Sequence, residues 1–342
     1  MLKLYRTHNK VISEVDEITD GCWVYMVNPS YNEVAEIAEK FEIDDADIMA
    51  ALDEEESSRI ELEDGYTLIL IDIPSVEVRH DKNRHTTIPL GILITQTAII
   101  TVCTVETPIL NDFINKRIKD FSTKKKMRFI YQILARTISF YQSTLRTIDK
   151  MRTEIEERVG EDTTDIDLID LHELESTLVY FATSLNANSG VLNRLTRYTR
   201  LEQYPDDQEL LDDLIVENRQ AIEMTAIYRD ILNGTRELIS SVIDSKLNNV
   251  MKYLTSITLV MAIPTIISGL YGMNVPSSGM PFGESRFGFA IVCFITLVIC
   301  VAAMVVMKKK RMLCCIFHAA AAKGNEIRDH SADEDSPLPR TR

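Results

Sequence analysis

Two uninterrupted apolar runs constrain this chain more than any other feature in it. They are MKYLTSITLVMAIPTIISGL (251–270) and FGFAIVCFITLVICVAAMVVM (287–307). A helix needs roughly 20 apolar residues to cross a hydrocarbon core, and each run supplies that length. The first carries one charge, Lys252, at its edge, and the second carries none. Two buried helices of a soluble core fit these lengths and compositions poorly, so the runs are expected to form a membrane-crossing helical hairpin, with the loop 271–286 between them.

Charge sets the expected orientation. Residues 308–311 are Lys-Lys-Lys-Arg, whereas the loop holds only Glu284 and Arg286. Basic residues favour the cytoplasmic side. Both termini are therefore expected in the cytoplasm, the loop outside, and the chain in the cell (inner) membrane as a multi-pass protein. The N-terminus, Met1-Leu2-Lys3-Leu4, runs into mixed polar sequence and does not read as a signal peptide.

The 342 residues leave room for about two domains before the hairpin. A formal net charge of −15 argues against nucleic acid as a partner and suits a surface that gathers cations. Cysteines at 22, 103, 293, 300, 314 and 315 form no CxxC, and the six histidines show no HxxxH spacing. No disulfide framework or zinc site is expected. No nucleophile–base constellation and no GxxxxGK[ST] appears, so the reading is of a protein that is not an enzyme.

Residues 1–106 read as a cytosolic α/β domain. Runs 2–6, 23–27, 66–73, 89–95 and 98–104 look like strands. Ser30 and Glu33 have capping-box spacing at the head of a helix carrying Val34, Ile37, Ala38 and Phe41, and 44–52 suits a second helix. Turns are expected at 81–83 and 95–97. From Thr107 the pattern becomes helical through about 250, a stalk or funnel. Helices are expected at 127–159 and 166–200, an antiparallel pair joined by the linker 160–165. A third helical pattern begins near Asp207 and meets no stop before Pro264. Continued through the first crossing it would be about 60 residues and roughly 90 Å long. Such a helix needs lateral partners, and copies of itself are the economical ones. The tail 318–342, with Ser336-Pro337-Leu338-Pro339, reads as disordered.

Alternating steps of three and four residues along this third helix trace a stripe. It holds Asp230, Gly234, Glu237, Ser241, Asp244, Asn248, Met251, Thr255, Thr258, Ala262, Thr265, Gly269 and Gly272. It is acidic or amide-bearing before the membrane and small or hydroxylic within it. Polar groups at membrane depth face protein or water, not lipid. One reading is a tight helix–helix seam, since small and Thr residues favour close approach. The other is a pore assembled from several copies. Acids at 230, 237 and 244 would repel on a dry seam but help around a watery path for cations. Met251 and Leu254 could then form an apolar constriction that gates by drying.

Tyr271-Gly272-Met273-Asn274 directly after this crossing, the two-crossing hairpin, the basic 308–311 end and the long helix before them together resemble the CorA magnesium transporters. The resemblance covers about 207–311 closely, and the 23–29 run and α/β region more loosely. It implies an α+β membrane protein and a homopentamer in a lipid bilayer, conducting Mg2+ with the membrane potential and gated by intracellular Mg2+. Gly272, Met273 and Asn274 match the outer selectivity loop. Thr265, Ala262 and Met251 fall at pore-lining positions, Leu254 at the hydrophobic gate, Asn248 at its cytoplasmic mouth and Glu237 at an acidic ring. Asp213 falls at one regulatory metal position. The matching position in the α/β domain is Ala50, with Asp47 or Asp53 as possible substitutes, and Glu284 stands near where the family carries an outer-loop acid. Transport of cobalt, nickel or zinc is the alternative, with magnesium favoured because Met273 stands where the zinc-handling branch carries Ile. A non-transporting two-crossing sensor or scaffold is the other alternative. No organic cofactor is expected.

Overall fold

The computed structural model describes residues 1–9, 11–79, 82–158, 165–198, 205–274, 276, 279–282 and 287–309. The expected tail, the linker before residue 165, Glu284 and Arg286 lie outside them. The chain divides into two compact units, Met1–Ile239 and Ser240–Arg342.

The first unit is built on one seven-stranded sheet. Its strands are β1 (Leu2–His8), β2 (Val11–Glu14), β3 (Cys22–Val27), β4 (Arg59–Leu62), β5 (Tyr66–Arg79), β6 (Lys82–Thr95) and β7 (Ala98–Cys103), in the order β2-β1-β3-β7-β6-β5-β4. Only β3 and β7 pair in parallel. These two central strands are buried on both faces, which explains their continuous apolar sequence. On β3, Trp23, Tyr25 and Val27 enter one core while Cys22, Val24 and Met26 enter the other.

Helices α1 (Tyr31–Phe41) and α2 (Asp45–Ala50) cover the second face. The Ser30 hydroxyl caps the amide of Glu33, whose carboxylate returns to the Ser30 amide, so the expected capping box forms. These bonds hold the Glu33 carboxyl below its ordinary pKa, the Ser30 amide contributing most. Gly91 on β6 is what lets α2 approach: a Cβ there would lie 2.5 Å from Ala51 Cβ.

The other face carries α3 (Pro108–Ile114), α4 (Lys126–Arg158), α5 (Asp165–Leu195) and the part of α6 (Pro205–Tyr271) that belongs to this unit. Residue 106, where composition changes from mixed to helical, lies inside one unit because these helices share the sheet's core. Helices α4 and α5 are antiparallel: Arg158 pairs with Asp167 near their joined ends, and Tyr141 meets Phe181 edge-on further along. Trp23 is fully buried at the centre, ringed by Phe113, Phe121 and Phe129, and donates from Nε1 to Thr101 Oγ1 at 2.8 Å.

Two edge strands, β2 and β4, escape the sequence pattern. Each is four residues long and half polar, with one buried apolar residue, Ile12 or Ile60, and one exposed one, Val11 or Leu62. Beyond the start of β4 a side chain takes over its pairing role. The last β4–β5 pair is Arg59 with Leu70, and two residues on, the Asn188 amide accepts from Asp72 N at 2.9 Å and donates to Asp72 O at 2.7 Å. Of the turn expected at 81–83, Asp81 lies outside the described residues, and Lys82 and Asn83 belong to β6. The turn at 95–97 forms, held by Thr95 Oγ1 with the amide and carbonyl of Ala98.

The second unit contains the rest of α6 and α7 (Gly288–Lys309). The whole of α6 is 67 residues long and passes through Pro264 without stopping. Proline removes one backbone donor, a defect tolerated more readily in membrane helices than in soluble ones.

Candidate functional site

Helices α6 and α7 are both long and apolar enough to cross a membrane. Large apolar side chains of the hairpin stand exposed: Phe289 is 86 % exposed, and Phe294, Leu297, Met261 and Ile266 more than half. In water such a surface would be untenable. In hydrocarbon it is the expected one.

Between the ends of α6 and α7 lies a cavity of about 950 Å³, lined from α6 by Pro264, Ile267, Ser268 and Tyr271 and from α7 by Phe289, Val292, Thr296 and Cys300 among others. At about 100° per residue those α6 positions lie on the far side of the helix from Thr265 and Gly269. Gly272, the last residue of the stripe, also lines this cavity, whereas Thr265, Gly269 and the other stripe residues of the second unit do not. Asp230, Glu237, Asp244, Asn248, Met251, Thr255, Thr258, Thr265, Gly269 and Gly272 are all exposed, and Ala262 is half-buried. Met251 and Leu254, the expected constriction, are 54 % and 57 % exposed.

Two hydroxyls of the stripe are already committed as donors. Thr258 Oγ1 donates to Leu254 O at 2.8 Å and Thr265 Oγ1 to Met261 O at 3.0 Å. Their lone pairs are left to accept, which suits the outward-pointing hydrogens of a hydrated cation. After Tyr271, helical and turn bonding continues for two residues: Gly272 N donates to Ser268 O and Met273 N to Leu270 O. Met273 and Asn274 are exposed beyond it.

The expected regulatory acids differ among themselves. Asp213 is exposed. Asp53 Oδ1 accepts from the Glu55 amide. Asp47 is half-buried and accepts from Tyr66 Oη at 2.6 Å; burial, helped by this bond, pushes the Tyr66 phenol up to about 12. Asp47 is thus already engaged within its own unit. Among the described residues no group of three or more His, Cys, Asp or Glu side chains is arranged to hold a metal ion.

Tyr271 belongs to this site although sequence reasoning gave it no role. Its hydroxyl donates to Pro281 O at 2.7 Å. Its place directly before Gly272 was the only signal available.

Comparison with known proteins agrees with this architecture. The family model described as CorA-like Mg2+ transporter protein matches residues 19–309. The cobalt/magnesium transport protein CorA of Methanocaldococcus jannaschii is 30% identical over 288 residues, covering 81% of this chain and 86% of that protein. The magnesium transport protein CorA of Helicobacter pylori is 21% identical, covering 82% and 87%. The complete structure of the Methanocaldococcus jannaschii CorA magnesium transporter superposes with a TM-score of 0.76 at 26% identity, covering 90% of this chain and 97% of that one. With the family model spanning both the sheet and the hairpin, the chain belongs to the CorA-like Mg2+ transporter family.

Proposed function

We propose that this chain is one subunit of a homopentameric magnesium channel-transporter, through which Mg2+ enters the cell down the membrane potential. Residues 251–270 and 287–307 are its two crossings, 271–286 its outer loop, and both termini lie in the cytoplasm. The observation that carries the reading is the stripe on α6. It runs from Asp230 to Gly272 and is exposed apart from the half-buried Ala262, and within the second unit its residues from Ser241 to Gly269 do not line the cavity against α7. Copies gathered about an axis would share it. The transport activities named for the relatives support the choice of ion.

Each part of the stripe has a chemical task in this reading. Mg2+ gives up its octahedral water shell reluctantly. A ring of Asn274 carboxamides accepts hydrogen bonds from that shell without removing it, where carboxylates would hold too tightly for rapid exit. Thr258, Thr265 and Asn248 carry the hydrated ion inward. Met251 and Leu254 close the path by excluding water, and Asp230, Glu237 and Asp244 draw the cation into the cytoplasmic mouth. For a divalent ion the potential supplies about 4.6 kcal/mol per 100 mV, twice the single-charge value. Internal Mg2+ closes the gate through Asp213, with Asp53 or Asp47 as its partner.

Flux into liposomes tests the proposal, with Mg2+ and Co2+ compared side by side. Wild-type chain is expected to take up Mg2+, and Asn274→Ala to abolish uptake with the oligomer intact. Unchanged flux in the variant would remove Asn274 from the ion path, and no divalent uptake by the wild type would end the transport reading.

A further inference from the structure

The bond from Tyr271 Oη to Pro281 O joins two residues ten apart, and Gly272, Met273 and Asn274 form the first limb of the ring it closes. The return limb is constrained again one residue later. A Cβ on Gly288 would lie 2.1 Å from Phe282 O, so a residue with a side chain at the start of α7 would displace that carbonyl. Phe282 itself sits at φ 61°, in the left-handed region that non-glycine residues seldom adopt. Two successive carbonyls of the return limb are thus set by the last residue of α6 and the first of α7.

We infer that the Tyr271 hydroxyl is a positioning group for the selectivity loop, tying the limb that bears Asn274 to its return limb so that the carboxamide is presented in one orientation. The inference rests on the transport reading above. Recognition of an ion through its water shell depends on acceptors held at fixed places, and a loop that must be ordered at each encounter binds more weakly. Tyr271 does not touch the ion in this scheme. It acts through the backbone, and only the hydroxyl, not the ring, does so.

The test uses the full chain in liposomes with Tyr271→Phe, which keeps the ring. Removing one neutral hydrogen bond should raise the KM for Mg2+ roughly 2- to 10-fold. The maximal rate should change less than about twofold by the same reasoning, and the preference for Mg2+ over Co2+ should narrow. Size-exclusion elution should not change. A purely structural role would instead lower the maximal rate or the amount of assembled protein and leave KM alone. Gly288→Ala, which pushes on the neighbouring carbonyl, should raise KM as well, and the double variant should be no worse than the poorer single one. Hydrogen–deuterium exchange over 272–282 reads the tie without any flux, and should be faster in Tyr271→Phe. Unchanged KM together with unchanged exchange overturns the inference. If the wild type itself transports no divalent ion, the transport reading falls separately and exchange alone decides whether the hydroxyl ties the loop.

Discussion

The sheet unit and the hairpin use the same kinds of residue to opposite ends. In the first, Trp23, Leu68, Ile92 and Ile100 are fully buried and the apolar faces of sheet and helices cover one another. In the second, Phe289, Leu297 and Met261 are each more than half exposed among the described residues. Burial away from water stabilises the first within one chain. The second presents its apolar side chains as a surface suited to lipid, where no hydrophobic drive acts between helices and packing and polar contacts organise them. A single chain can therefore finish folding one region while the other stays incomplete.

That contrast can be broken most sharply at Trp23. Trp23→Ala removes the centre of the aromatic cluster and leaves the Thr101 hydroxyl without its donor. A loss of about 3–5 kcal/mol from the sheet unit is expected. Denaturant unfolding followed by near-ultraviolet circular dichroism would measure it, while the helical signal of the detergent-bound hairpin persists. A change below about 1 kcal/mol would show that the cluster is not central.

Met251→Asp sharpens the contrast from the other side. An ionised carboxylate on the exposed α6 surface should keep the constriction wet and raise resting Mg2+ flux several-fold, with the unfolding midpoint of the sheet unit unmoved. Unaltered conductance would take Met251 out of the gate, and a shifted midpoint would mean that the two regions are energetically linked there. The smallest expected effect is at Asp213. Asp213→Ala should move the internal-Mg2+ inhibition curve to higher concentration by a few-fold, with peak flux and melting unchanged. An unmoved curve would leave Asp213 as surface charge.

Legibility in the sequence followed the same division. The second apolar run was readable as a helix, since α7 spans Gly288–Lys309 against an expected 287–307, whereas the start of the first leaves no mark in α6, which runs unbroken from Pro205 to Tyr271. Long helices and central strands were readable because their periodicity persists over many residues. The edge strands β2 and β4 were not, having a single inward apolar residue each. The Asn188 amide that pairs with Asp72 was invisible, because 116 residues separate them. Within the site, the small and polar stripe could be traced by spacing alone, but not whether α7 covers it.

The sequence by itself determined the two apolar runs, the stripe and the motif Gly272-Met273-Asn274, because each depends on residue type at short range. Only the tertiary structure decided that Thr265 and Gly269 stay outside the cavity between α6 and α7, that Asp47 is occupied by Tyr66, and that Tyr271 reaches Pro281. Those facts depend on which segments meet after folding, and contacts between distant residues leave no periodic trace along the chain.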